Sequence, residues 1–228
     1  MTNVKFTTDL SIFIQIVTGL ISMQGVFVKL PEQHRVLNEV LTLETLVQVV
    51  ELFFYIYLLK PMAVSSLYQM ASVRYFDWVI TTPTMLLTTI AYFKYQEYLE
   101  KQKGILSFTT FLKDNQQDII TIVICNFLML LFGYLGEIGV IDMTSSLIFG
   151  FLFFGFTFYT IYTKYAVNSQ NSLQLFYFIL LVWGLYGFAA LLTPRHKNNM
   201  FNILDIFAKN FFGLYLYYKV IKVKDTDH

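Results

Sequence analysis

Charge is what this sequence most lacks. Only 14% of its 228 residues are Asp, Glu, Lys or Arg, against about 25% in an ordinary soluble domain. The net charge is +1, so no basic surface favours nucleic acid, and none is expected as a partner. The single cysteine, Cys125, lies inside an apolar run. That excludes a disulfide framework and a cysteine metal site, and no metal is expected. The chain also lacks a second composition regime, a low-complexity tract and a repeat of fixed period. No short apolar segment is followed by a small-residue cleavage site, so the first apolar segment is expected to be retained.

Apolar surface is what the chain has in excess. Residues are 56% hydrophobic and 18% aromatic, and the mean hydropathy is +0.57. A helix needs roughly 20 apolar residues to cross a bilayer. Seven segments qualify, at about 7–30, 39–60, 68–93, 117–139, 142–166, 172–193 and 200–222. The polar stretches between them are short, such as "KLPEQHRVLN" and "TPRHKNN"; the longest, about 94–116, holds "KYQEYLEKQKG" and "KDNQQ". Short connections make sequential helices antiparallel neighbours. The expected fold is all-α, one seven-helix transmembrane bundle over residues 1–228. It is a multi-pass protein of the cell membrane whose first partner is the lipid bilayer; a homo-oligomer stays open.

Orientation follows from Lys and Arg. With the N-terminus outside, the inner side holds Lys29, Arg35, Lys94, Lys101, Lys103, Lys113, Lys164, Lys219, Lys222 and Lys224, and the outer side Lys5, Lys60, Arg195 and Lys197. Ten against four predicts N-terminus out, C-terminus in.

The charges that stay inside the segments are few: Glu44, Glu51, Arg74, Asp77, Asp205 and Lys209, with Glu137 and Asp142 near the outer ends. Each is costly at bilayer depth and is expected to face the bundle interior with a partner. Asp205 and Lys209 are four apart and share a helix face. Arg74 and Asp77 are three apart, and Thr81 is four beyond Asp77. Two cations and two anions sum to zero. Two readings fit these residues: an ion-pair network that fixes helix positions, or a charged site beside an apolar ligand walled by Trp78, Trp183, Tyr186 and Met129.

The order of the motifs favours the second. "RYFDWVITTP" in the third span resembles the counter-ion motif of the microbial rhodopsins, "LDIFAKNFFG" in the seventh resembles their retinal-lysine motif, and "VWGLYG" in the sixth adds a looser match. The resemblance extends over nearly the whole chain. It implies that Lys209 carries all-trans retinal as a protonated Schiff base, with Asp77 and Asp205 as counter-ions and Arg74 linking them to the outer half. A protonated nitrogen in hydrocarbon needs a nearby anion, because an opposite charge favours the charged form while desolvation opposes it. Thr81 is expected to hydrogen-bond the Asp77 carboxylate.

The same resemblance implies that Trp78, Thr82, Met85, Asn126, Met129, Gly133, Trp183, Tyr186 and Ala208 form the retinal pocket, with Thr82 bonded to Asn126. Gly187 and Ala190 stand where many relatives carry Pro and Trp. Close helix packing is an equal explanation for Gly133 and Gly187.

Output is a separate question from fold. Outward proton pumps of this family keep a carboxylic donor where this chain has Thr88, eleven residues beyond Asp77, on the order of 16 Å along the helix. Where such pumps keep a proton-releasing glutamate, near the outer end of the seventh span, Lys197 and Asn198 stand. Glu44, Gln48, Glu51 and Tyr55 share one face of the second span, and Ser11, Gln15, Thr18 and Ser22 repeat that spacing on the first. These stripes line either a water path or an inter-helix contact without conduction. Asn210 after Lys209 and the second-span glutamates resemble channel-type rhodopsins, and the overall pattern resembles rhodopsins of large algal viruses. By that resemblance Ser11, Glu51 and Asn210 form a central constriction and Glu44 belongs to an inner one, with Gln15 and Gln48 along the path. Glu51 is placed apart from the Arg74–Asp77–Asp205–Lys209 cluster. Acidic rings favour cations. The expected function is a light-gated channel for H+, Na+ or K+, with a proton pump second and a sensory photoreceptor third, because no signalling domain is attached. No enzymatic activity is expected.

Overall fold

The computed structural model describes residues 2–64 and 67–226. Among them the chain forms α1 (Thr2–Val26), α2 (Arg35–Val64), α3 (Leu67–Glu100), a short α4 (Phe108–Asp114), α5 (Gln116–Glu137), α6 (Met143–Lys164), α7 (Gln170–Ala189), α8 (Pro194–Asp205) and α9 (Phe211–Thr226). A π-helical segment, Ile206–Asn210, joins α8 to α9, so the two run on as one long helix. Seven long helical rods result, in an all-α bundle without strands among the described residues. Five of the rods are apolar enough to cross a membrane on composition alone. The other two, α3 and α8–α9, are those that carry the Arg74, Asp77, Asp205 and Lys209 charges.

Polarity is reversed relative to a soluble protein. Phe13, Phe53, Ile148, Tyr159 and Leu181 are exposed, whereas Ser11, Gln15, Glu44, Gln48, Glu51, Asn202 and Asn210 are buried. Lipid tails are as apolar as Leu, so apolar side chains gain nothing by turning inward. Packing and buried hydrogen bonds hold the helices together instead. α9 approaches α2 closely because Gly213 has no side chain; a Cβ there would collide with Gln48.

Helix ends follow local chemistry. The Asp142 side chain accepts from the Ser145 backbone N–H at 2.9 Å and starts α6, and Pro194 occupies the first turn of α8, where its missing N–H costs nothing. Gly139, at φ +74°, makes the tight turn between α5 and α6. The third helix runs beyond the expected span to Glu100.

That extension is held by Glu97, outside the membrane-spanning part of α3. Its carboxylate accepts from Lys103 at 2.6 Å, Lys94 at 2.9 Å and Lys101 at 3.2 Å. Burial alone would raise its pKa, but the hydrogen bonds from Lys103, Lys94 and Lys101 prevail and hold it down at about 2, from an ordinary 4.5. A depressed folded-state pKa contributes stability above the unfolded value, and that stability is lost as pH falls through the folded one. Glu97→Gln is therefore expected to lower the melting temperature at neutral pH. The gap between variant and parent should close as pH falls from 4.5 toward 2. A gap that stays constant across thermal scans in this window would show that the lysine cluster contributes nothing.

Candidate functional site

α3 supplies Arg74, Asp77, Trp78, Thr81, Thr82 and Met85 at steps of three and four, so all six face inward. All are buried. The last helix brings Asp205 and Lys209 opposite them, and the π segment sits at Lys209 itself. Such local widening is common at functional sites.

Lys209 Nζ donates to Asp77 Oδ2 at 2.6 Å. Two further carboxylates approach it: Glu51 Oε1 at 3.8 Å and Asp205 Oδ1 at 3.9 Å. Asp205 is tightly held. Its Oδ2 accepts from the Tyr55 hydroxyl at 2.6 Å and from Arg74 Nη1 at 3.2 Å, and its Oδ1 accepts from the Tyr186 hydroxyl at 2.7 Å. Arg74 Nη1 also donates to the Tyr55 oxygen at 3.0 Å, and Nη2 donates to Asn202 Oδ1. Asn202 Nδ2 in turn donates to Thr7 and Thr8, and Ser11 donates to the Asn202 carbonyl. The network thus runs from Lys209 through Asp205 and Arg74 to α1.

Lys209 also borders a cavity lined by Tyr75, Trp78, Thr82, Met85, Met129, Leu130, Gly133, Phe151, Phe154, Trp183, Tyr186, Gly187, Ala190, Phe201 and Ala208 among others. One buried primary amine at the end of an apolar, aromatic slot fits retinal: the amine can bind an aldehyde, and the slot can hold a polyene. Asp77 Oδ1 has no hydrogen-bond partner, which leaves an acceptor free beside that amine.

The sequence-predicted residues gather here with three differences. Glu51 is not apart from the charge cluster but inside it, because α2 turns its buried face toward Lys209. Thr81 donates to the Asp77 backbone carbonyl at 3.0 Å rather than to the carboxylate, the i−4 bond that a helical Thr hydroxyl readily makes. Asn126 does not line the cavity; it stands behind Thr82 and donates to its hydroxyl oxygen at 2.8 Å. Lys197 of α8 pairs with Glu137 of α5 at 2.8 Å, with both side chains buried.

Sequence reasoning missed Phe201 and Asn202, and placed Tyr55 on a stripe without its role. Phe201 packs edge-to-face on Trp78 at 5.0 Å and stacks with Tyr186 at 5.8 Å. Their signal was present: Phe201 and Asn202 precede Asp205 by four and three residues, on its own helix face.

The path residues are all buried, and several polar atoms have no protein partner: both amide atoms of Gln15 and of Asn210, both Glu51 oxygens in hydrogen bonding, Glu44 Oε2 and Gln48 Oε1. Gln48 Nε2 reaches Ser22 at 3.4 Å. Buried polar groups of this kind are usually satisfied by water.

Comparison with known proteins bears on the family and the fold. A family model described as bacteriorhodopsin-like protein matches residues 6–223. The viral rhodopsin OLPVRII superposes with a TM-score of 0.82 at 31% identity, covering 96% of this chain and 98% of its own. The blue light-absorbing proteorhodopsin from Med12 gives 0.74 at 18% identity, with 97% and 98% covered. Bromide-bound halorhodopsin from Halobacterium salinarum gives 0.76 at 14%, with 99% and 96% covered. The last two establish the fold alone. No curated protein sequence matches the chain.

Proposed function

Since the chain belongs to the bacteriorhodopsin-like family of membrane photoreceptors and light-driven ion transporters, we propose that this member is a light-gated cation channel with retinal on Lys209. Retinal, when bound, supplies a light-driven change of shape and of charge position beside that nitrogen. Lys209 would hold it; Trp78, Met85, Met129, Trp183 and Tyr186 would flank it and exclude water. Asp77, as the nearest anion, would stabilise the proton on the lysine nitrogen and accept it. Asp205, fixed by Tyr55, Tyr186 and Arg74, would keep a second negative charge in place. On the Lys and Arg distribution, the N-terminus is placed outside.

One observation carries the channel reading. Glu51 joins Lys209 to the ladder of unpartnered polar side chains between α1, α2 and α9. Lys209 and Arg74 oppose three carboxylates, Asp77, Asp205 and Glu51, so full ionisation leaves one negative charge in excess. A proton or a passing cation offsets it, and any movement at Lys209 is felt by Glu51 at once. Acidic constrictions of this kind select cations. Gln15, Gln48 and Asn210 provide the polar lining on either side.

A light-driven outward proton pump is the second reading. It is favoured by the Thr88 hydroxyl bonding to Glu44, which places a carboxyl at the depth where Thr88 alone offered none.

Whole-cell recording under imposed sodium and proton gradients separates the two. The channel current reverses with the gradient, whereas a pump current keeps its sign. Glu51→Gln, normalised to retinal-bound protein, is expected to change photocurrent amplitude, selectivity or closing rate. Its absorption should shift to the red by less than that of Asp77→Asn, since Glu51 is the more distant anion. A parent current that no cation gradient reverses removes the channel reading. A variant that matches the parent in all three properties assigns Glu51 to packing alone.

A further inference from the structure

Asn202 lies three residues before Asp205 on α8 and is fully buried. Its side chain joins three helices. Oδ1 accepts from Arg74 Nη2 of α3, while Nδ2 donates to the Thr7 hydroxyl at 2.8 Å and the Thr8 hydroxyl at 3.0 Å, both on α1. Both threonines have committed their protons elsewhere. Thr8 donates to the Val4 carbonyl at 2.9 Å, and Thr7 to the same carbonyl at 3.0 Å or to Asn199 Oδ1 at 2.8 Å. Only hydroxyl lone pairs are left to face Asn202, so its NH2 turns toward α1 and its oxygen toward Arg74. The flipped amide would set donors against the guanidinium and an acceptor against the lone pairs.

Arg74 needs such a guide, because its side chain is long and rich in rotamers. The Tyr55 and Phe201 rings lie 5.1 and 5.9 Å from Arg74 Cζ, but a ring face does not dictate where a fork of donors points. Nη1 reaches Asp205 at 3.2 Å and Tyr55 at 3.0 Å, whereas Nε has no hydrogen-bond partner among the described residues. Asn202 on Nη2 is thus the second fixed point of a planar group, and two points leave one orientation. A neutral amide does this without adding a negative charge to a cluster where Asp77, Asp205 and Glu51 already oppose Lys209 and Arg74.

We propose that Asn202 is a positioning residue: it ties the Arg74 guanidinium to α1 and holds it inward against Asp205, so that its positive charge keeps the Asp77 carboxylate ionised beside Lys209. Asn202 does not line the cavity and acts only through Arg74. The optical part of the test rests on the reading of Lys209 as the retinal attachment site; the other part does not.

The first measurement uses retinal-free protein in lipid nanodiscs, labelled with 15N-arginine. Of the three arginines, Arg35 and Arg195 are exposed and Arg74 is buried. The parent is expected to show two separate Nη signals from Arg74. In Asn202→Leu one of them should lose its hydrogen-bond shift. The second measurement follows the visible band of retinal-loaded protein as pH falls and Asp77 takes a proton. The groups that face Asp77 are Lys209 and Asp205 on the last helix, Glu51 and Tyr55 on α2, Arg74 on its own helix and Tyr186 on α7. Asn202→Leu should move the midpoint of the colour change to higher pH by about one unit, the lower end of what a neighbouring opposite charge is worth. In an Arg74→Gln background the same substitution should add nothing, since the two residues act as one unit. Thr7→Val with Thr8→Val keeps Asn202 and removes only the lone pairs that aim it. This pair should shift the midpoint the same way by less, and it carries the test if the leucine variant does not fold. Unchanged Nη signals, an unmoved midpoint, or a shift that persists in the Arg74→Gln background overturns the proposal. A parent that forms no visible band removes the retinal reading alone, and the arginine signals then decide.

Discussion

Replacing Lys209 with alanine is expected to abolish visible absorption after addition of all-trans retinal. Among the described residues, Lys209 is the one amine that borders the apolar cavity, and the other buried lysine, Lys197, is tied to Glu137. The alanine variant also strips the Asp77 carboxylate of the hydrogen bond that Lys209 donates, and breaking a buried ion pair costs about 3–5 kcal/mol. Loss of the band through misfolding must therefore be separated from loss of the attachment site. Lys209→Arg does this. Its guanidinium keeps a positive charge against Asp77 but cannot condense with an aldehyde, so the variant should stay folded and remain colourless. Circular dichroism and size-exclusion elution report the fold, and the visible spectrum with borohydride trapping reports attachment. A trapped, visible-absorbing adduct in either variant would place retinal on another residue.

Asp77→Asn is expected to move the absorption band to longer wavelength. Positive charge on the lysine nitrogen is stabilised in the ground state by the anion at 2.6 Å. Excitation carries that charge along the polyene, away from Asp77, so the anion lowers the ground state more than the excited state. A unit charge at this distance is worth on the order of 6 kcal/mol at an effective dielectric of about 20. Losing part of that difference shifts a visible band by tens of nanometres. Glu51 and Asp205, at 3.8 and 3.9 Å, remain and keep the nitrogen protonated. The measurement is a pH titration of the visible spectrum for parent and variant. Coincident spectra at every pH would transfer the main counter-ion role to Asp205 or Glu51.

Relations within one helix were legible in the sequence. The rise of 1.5 Å and period of 3.6 residues are the same in every α-helix. Arg74, Asp77 and Thr81 therefore had to share a face, as did Glu44, Gln48, Glu51 and Tyr55, and the scarcity of charge elsewhere made these residues conspicuous. The seven rods were legible for the same reason, since length and hydropathy determine what spans a bilayer. Even the missed residues Phe201 and Asn202 obeyed this rule. They stayed silent because an aromatic or an amide at helical spacing has many other uses.

Relations between helices were decided by the tertiary structure. Rotation and crossing of α2 against the last helix bring Glu51 to 3.8 Å from Lys209, which no spacing along either helix specifies. A rotation of one residue step, about 100°, would turn the carboxylate away. The same holds for Glu44 meeting Thr88 from the neighbouring helix and for Tyr55 reaching Asp205. Asn126 came to lie behind Thr82 rather than on the cavity wall for the same reason. The Thr81 hydroxyl could bond either a carboxylate or its own helix carbonyl, and the rotamer, not the sequence, chose the latter. The sequence thus determined which charges are buried and on which helix face. Packing determined how they pair, because pair energies at bilayer depth vary steeply over an ångström or two and that distance is set by side chains from several helices at once.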